Sequence, residues 1–245
     1  MSDAAQTGAG AAASAGGFDA ATRSRLEVEA KEVIGRYPRA RSALLPLLHL
    51  VQAEEGYVSK AGVAFCAEQL AITEAEVTGV VTFYTMYKRR PVGDYHVGVC
   101  TNTLCAVLGG DEIFAGLKEH LDVGNDETTA DGKVTLEHVE CNAACDFAPV
   151  VMVNWEFFDN QTPQSARELV DALRAGEDVV PTRGAGSVCT WRESARVLAG
   201  FDDGRAGEGT QAAGPSLEGL RLARARNWTA PAPQQGGAAG GEDAQ

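Results

Sequence analysis

The stretch VGVCTNTLCAVLGG, residues 97–110, carries two cysteines, Cys100 and Cys105, where one sequence pattern gives way to another. Around its start Tyr95, Val97 and Val99 alternate with His96, Gly98 and Cys100, the two-residue period of a strand. Beyond it Leu104, Leu108, Ile113, Phe114, Leu117 and Leu121 recur at helical spacing, weakened midway by Gly109-Gly110. The prediction is a strand that hands two thiols to a helix. What those thiols bind depends on their partners further along.

The partners come in VECNAACDFAPVV, which holds Cys141 and Cys145 just past a second strand pattern, GKVTLEHVEC. The full spacing is Cys-x4-Cys, thirty-five residues, then Cys-x3-Cys. Loops that follow neighbouring strand ends come together, so four thiols can meet at one edge of a sheet. Soft thiolates select zinc, copper(I) or iron-sulfur clusters. Structural zinc favours Cys-x2-Cys knuckles, although wider pairs occur. A two-iron centre reaches further than one ion, and a Cys-x4-Cys arm already occurs in plant-type clusters. Spacing therefore favours a 2Fe-2S centre, with zinc next and disulfides or inert core thiols last. A Rieske arrangement would need two histidine ligands, and His96 and His138 both precede their cysteine pairs. No Cys-x2-Cys occurs, which sets aside a thioredoxin-type redox dithiol.

Composition narrows the setting. The chain of 245 residues is 44% hydrophobic and 22% charged, with a formal net charge of -13. Such acidity disfavours nucleic acid, whose phosphates call for a basic face. No apolar run approaches the ~18–20 residues of a membrane span. The N-terminal Ala/Gly/Ser stretch has neither the basic nor the apolar region of a secretory signal. A cytoplasmic location is expected, where thiols stay reduced.

Four regions are read along the chain. Residues 1–18 form a low-complexity tail expected to be disordered. Residues 19–92 form a helical module: Asp19 caps the first helix, Pro46 falls in the first turn of the second, Ser59 opens a third, and Thr73 with Glu76 forms a capping box for a fourth. Residues 93–176 read strand, helix, strand, strand, strand, helix, with a tight turn near Asn154 and a final helix opened by Thr162-Pro163. Residues 177–245 form an irregular, partly disordered extension, with a capping box at Thr190 and Glu193 and a second helical stretch in SLEGLRLARARNW.

Taken together, VCTNTLCAVLGG, ADGKVTLEHVECNAACDFAPVVMVN and EVTGVVTFYTMY closely resemble the thioredoxin-like 2Fe-2S subunit family of respiratory complex I, the NADH-quinone oxidoreductase. The resemblance runs from about residue 25 to 176 and leaves the extension uncovered. It implies an α+β architecture, a helical bundle followed by a thioredoxin-like ferredoxin domain. Position by position it makes Cys100, Cys105, Cys141 and Cys145 the ligands of one 2Fe-2S cluster. It further implies an electron-transfer subunit with no active site of its own. Single electrons then pass between its cluster and the flavin of an NADH-binding partner, and the complex holds it at the inner face of the plasma membrane. FMN and NADH are expected on that partner, alongside other peripheral-arm subunits. Rival readings are a diaphorase subunit of a soluble NAD-linked hydrogenase or formate dehydrogenase and, in a different class, a zinc-stabilised scaffold.

Other residues carry plainer expectations. Glu140 and Asp146 flank the second cysteine pair and should lower the potential of an anionic cluster. Thr101 and Thr103 offer hydroxyls beside the first pair, and Ala143 and Ala144 leave backbone free to approach sulfur. Cys66 is read as a core thiol, Cys189 as a spectator, and His49 as a core-edge or surface residue. His96 and His138 are read as strand-face residues within reach of a cluster hydrogen bond. Phe83, Tyr84 and Tyr87 are read as packing, and SVCTWRESARVLAGF as a docking surface. The Gly-x-Gly stretches do not bridge a strand and a helix, so no dinucleotide site is expected.

Overall fold

The computed structural model describes residues 17–210 and 212–229. Contacts divide the chain into two units, Met1–Gly209 and Thr210–Gln245, so the boundaries expected after 92 and 176 both lie inside the first.

That unit opens with helices α1 (Ala20–Ile34), α2 (Leu44–Glu55), α3 (Lys60–Leu70) and α4 (Glu74–Phe83). They start where the sequence supplies caps. The Asp19 carboxylate accepts from the N–H groups of Ala21 and Thr22, both at 2.9 Å, and Thr73 and Glu76 close their box. Pro46 lies in the first turn of α2, where no N–H is required of it. Leu26, Leu47, Leu48, Phe65 and Val77 form the core of this bundle. Phe18 packs edge-on against Phe65 at 5.9 Å, so it belongs to the bundle although it falls within the expected tail. The first 16 residues of that tail lie outside those described. The segment after α4 is pinned to the bundle. Buried Gln52 donates to the Met86 carbonyl at 3.1 Å and accepts from the Lys88 N–H at 2.8 Å.

The sheet follows: β1 (Tyr95–Cys100), β2 (Glu127–Thr128), β3 (Val134–Val139), β4 (Val151–Val153) and β5 (Glu156–Phe158), in the order β2-β3-β1-β4-β5. Strands β1 and β3 are parallel neighbours, in register from Tyr95↔Val134 to Cys100↔Val139. The remaining pairs are antiparallel. The helix expected after β1 is broken where glycines weaken it, giving α5 (Thr103–Val107) and α6 (Gly110–Leu121), with Gly109 at φ 109° between them. With α7 (Pro163–Ala175), α6 covers one face of the sheet. Val97, Val99, Leu136, Ile113, Leu117 and Leu173 are buried there, each contributing about 1.5–3 kcal/mol. The opposite face carries His96, Gly98 and Cys100.

The extension is less irregular than expected. Helix α8 (Trp191–Leu198), opened by the Thr190/Glu193 box, joins the two layers of the first unit. The Trp191 indole N–H donates to the Gly56 carbonyl at 2.7 Å, and the Ser194 hydroxyl donates to the Asn154 carbonyl at 3.1 Å. Trp191, Ala195 and Ala199 are buried. SVCTWRESARVLAGF thus uses Trp191, Ala195 and Ala199 within its own fold, while Val197 and Leu198 stay exposed. In the second unit α9 (Gly214–Ala225) has Leu217 and Leu220 exposed, and Arg226 lies 5.2 Å over the Trp228 ring.

Candidate metal centre

Because β1 and β3 run in parallel and end level at Cys100↔Val139, the loops that follow them leave from the same rim. Cys100 closes β1, Cys105 is the third residue of α5, Cys141 lies two residues past β3, and Cys145 opens a turn of 3-10 helix, Cys145–Phe147. The Asn102 amide donates to the Val139 carbonyl at 3.3 Å, tying the first loop to the root of the second. The Cys100 N–H donates to the Val150 carbonyl at 3.1 Å, which fixes the polypeptide on its way into β4. Position 110 has to be glycine. A Cβ there would stand 2.5 Å from the Cys100 carbonyl oxygen and 2.9 Å from that of Cys105.

The two pairs differ in setting. Cys100 and Cys105 are 3% and 2% exposed, in a small cluster with Ala144, Val150 and Met152 against which Trp155 and Phe157 pack. Cys141 and Cys145 are exposed, with their sulfurs 3.9 Å apart. Burial pushes the Cys105 thiol up to about 11, and the charges of Cys100 and Cys145 add to the rise. The hydrogen bond and charge of Cys141 raise Cys145, and the charge of Cys100 reaches it as well. Each pair is thus felt by the other across the rim. Among the described residues no three Cys, His, Asp or Glu side chains gather as a site for one metal ion. The donor set is two thiol pairs.

The surroundings fit an anionic sulfur-rich group. The Ala143 N–H donates to Cys141 Sγ at 3.4 Å, with Ala143 in the left-handed region at φ 53°. Asn142 Nδ2 is buried without an acceptor, an orphaned donor in the loop that carries two of the thiols. Sequence reading missed Asn142, and only its position between Cys141 and Cys145 pointed to it. Asp146 bears on Cys145 by its charge, which raises the thiol.

His96 and His138 have partners other than the thiols. His138 is exposed, with its ring 6.0 Å from Phe114. His96 is buried against Glu137. His49 is deeper than expected. It lies in the bundle against Tyr87, its Nδ1 has no partner, and burial pulls it down to about 4. Cys66 is fully buried and pushed up to about 12, as a core thiol should be, and Cys189 is half-buried. The aromatic run divides: Tyr87 packs, whereas Phe83 is 76% exposed.

The model of the thioredoxin-like [2Fe-2S] ferredoxin family matches residues 30–174, and the protein belongs to that family. Within it, the chain is similar to an NADH-quinone oxidoreductase subunit of Mycobacterium tuberculosis, with 66% identity over 209 residues, 85% of this chain and 82% of the relative. The corresponding NADH-quinone oxidoreductase subunit of Rickettsia bellii is 38% identical over 59% of this chain and 89% of its own. Subunit 2 of the Thermus thermophilus NADH-quinone oxidoreductase is 37% identical over 60% and 83%. The mycobacterial match is longer than the 176 residues ahead of the extension, so it runs into that region.

Proposed function

We propose that Cys100, Cys105, Cys141 and Cys145 hold the [2Fe-2S] cluster of the family, and that the protein is the electron-transfer subunit of an NADH-quinone oxidoreductase. In this role it exchanges single electrons with the flavin of the NADH-binding subunit. The observation that carries the reading is the parallel β1/β3 pair, which ends level and delivers both cysteine loops to one rim. The mycobacterial, rickettsial and Thermus relatives, all subunits of NADH-quinone oxidoreductases, support the assignment to the assembly.

When bound, the cluster supplies a one-electron carrier. This chain's residues hold it and set its surroundings. The buried pair keeps water from one side, and the exposed pair leaves the other open to a partner. The Ala143 N–H and the Asn142 amide offset negative charge on sulfur. FMN and NADH belong to the partner subunit. No helix among the described residues is long and apolar enough to cross a membrane. The protein is peripheral and reaches the cytoplasmic face of the plasma membrane through the complex.

The test is to purify the full chain anaerobically under iron-replete conditions and measure iron, inorganic sulfide and the EPR spectrum after dithionite. Two irons and two sulfides per chain with a rhombic signal are expected. A colourless protein with one bound zinc would overturn the reading.

A further inference from the structure

On the sheet face that ends in Cys100 lies a buried polar group for which thiol ligation has no use. His96 is four residues before Cys100 and on the same face, about 13 Å away along the strand. It is 1% exposed, and its Nε2 is 2.6 Å from Glu137 Oε2 on β3, which also takes the Lys88 ammonium. The rings of Trp155 and Trp191 stand on the imidazole, each 5.3 Å between centroids. Trp155 also packs against the group around Cys100 and Cys105, so one indole touches both places. Glu137 is the member that meets solvent. Its side chain is 18% exposed at a cavity of about 450 Å³, lined also by Tyr84, Arg89 and Arg90.

Resting on the functional reading above, we propose that the His96–Glu137 pair takes up one proton when the cluster gains one electron, which makes His96 the group that links its potential to pH. The electron comes from the partner's flavin and the proton from solvent. No bond breaks. One N–H bond forms on the ring nitrogen that Glu137 does not engage. Before reduction, Lys88 and Glu137 cancel and the imidazole is neutral. Afterwards the imidazolium matches the new negative charge at the rim. Two indole faces and a carboxylate are the surroundings that stabilise a buried cation.

Charged groups face His96 from two directions. Glu137 comes from β3, while Lys88 and the more distant Asp126 come from the loops beside it. The β4–β5 turn and α8 present neutral indoles. Burial holds His96 below its ordinary value, with Lys88 adding to the depression and Glu137 opposing it. Burial would raise Glu137, but its hydrogen bonds with His96 and Lys88 outweigh that and pull it to about 2. At neutral pH the pair is therefore carboxylate and imidazole, ready to accept a proton.

The experiment is an EPR-monitored redox titration of the cluster-loaded full chain from pH 4.5 to 8.5. The wild-type potential should fall with rising pH through one titration. A tenfold difference in proton affinity between the two redox states corresponds to a total fall of about 59 mV. His96→Gln should flatten the profile. Lys88→Met, which removes a charge that opposes protonation, should move its centre to higher pH. A flat wild-type profile, an unaltered slope in cluster-loaded His96→Gln, or an unmoved centre in Lys88→Met would each overturn the proposal while leaving the cluster assignment standing. A protein without iron and sulfide would overturn both.

Discussion

The two cysteine arms proposed to share one cluster stand on opposite kinds of ground. Cys100 and Cys105 are set into the fold, one as the last residue of a central strand and the other turned inward from a short helix. Cys141 and Cys145 stand on an exposed turn whose backbone passes through a left-handed alanine. Packing would hold the first arm in place with or without iron. The second is held by its ends: Val139 bonded to Asn102, and the Phe147 carbonyl accepting from the Asn160 N–H at 2.8 Å. The difference teaches that the fold by itself holds one arm of the proposed site, and leaves the other for a bound cluster to fix.

Serine substitution separates the arms most sharply. Loss of the normal cluster signal is expected from Cys105→Ser and Cys145→Ser alike, since each removes one of the four proposed ligands. Stability of the cluster-free protein should divide them. Burying a hydroxyl where the Cys105 thiol sits costs about 1–3 kcal/mol, whereas an exposed change at Cys145 stays within about 0.5 kcal/mol. Urea denaturation of the two apo variants measures this, and equal midpoints would erase the proposed asymmetry. Gly110→Ala presses on the buried arm alone. Its methyl group meets two carbonyl oxygens that cannot swing aside, so overpacking should cost about 1–3 kcal/mol and impair cluster loading. A fully stable, fully loaded Gly110→Ala protein would mean that the buried arm gives way more easily than its packing implies.

Part of this asymmetry is legible in the sequence. Four cysteines after two strand patterns mark the two loops at the rim, and the caps at Asp19, Thr73, Thr162 and Thr190 mark four helix starts, because capping is local chemistry. The relative depth of the arms is not legible there. Cys100 is buried because β4 pairs beside it and because Val150 and Met152 fold over it, all from residues some fifty positions away. Strand β2 goes unseen since two residues display no period. The break between α5 and α6 shows only as a weak point at Gly109-Gly110. The polar-looking face of β1 hides its role for a similar reason: His96 gains Trp155, Trp191, Glu137 and Lys88 only when four separate parts of the polypeptide meet.

The exposed arm can be probed more finely, through potential rather than loss. Asn142→Ala removes the orphaned buried donor between Cys141 and Cys145. If that amide stabilises the reduced, more negative state by about 1 kcal/mol more than the oxidised one, the midpoint should fall by about 40 mV. No change in an EPR-monitored titration would mean that the amide points away from the sulfur.

The smallest effect is expected at Asp146, next to Cys145 on the same turn. Its carboxylate acts on the Cys145 sulfur through charge, and an added electron at the rim is disfavoured by a neighbouring negative charge. Asp146→Asn keeps the shape and removes the charge, so the midpoint should rise. The residue is exposed, and water screens exposed pairs to about 0–1 kcal/mol, which sets the rise at roughly 20 mV. Raising the ionic strength should shrink the gap between wild type and variant, because surface charges are screened and buried ones much less so. The matching test on the buried arm is the wild-type pH profile that His96→Gln flattens, which salt should leave nearly unchanged. If salt affected both arms equally, the division between a solvent-facing pair and a protein-facing pair would lose its electrostatic meaning.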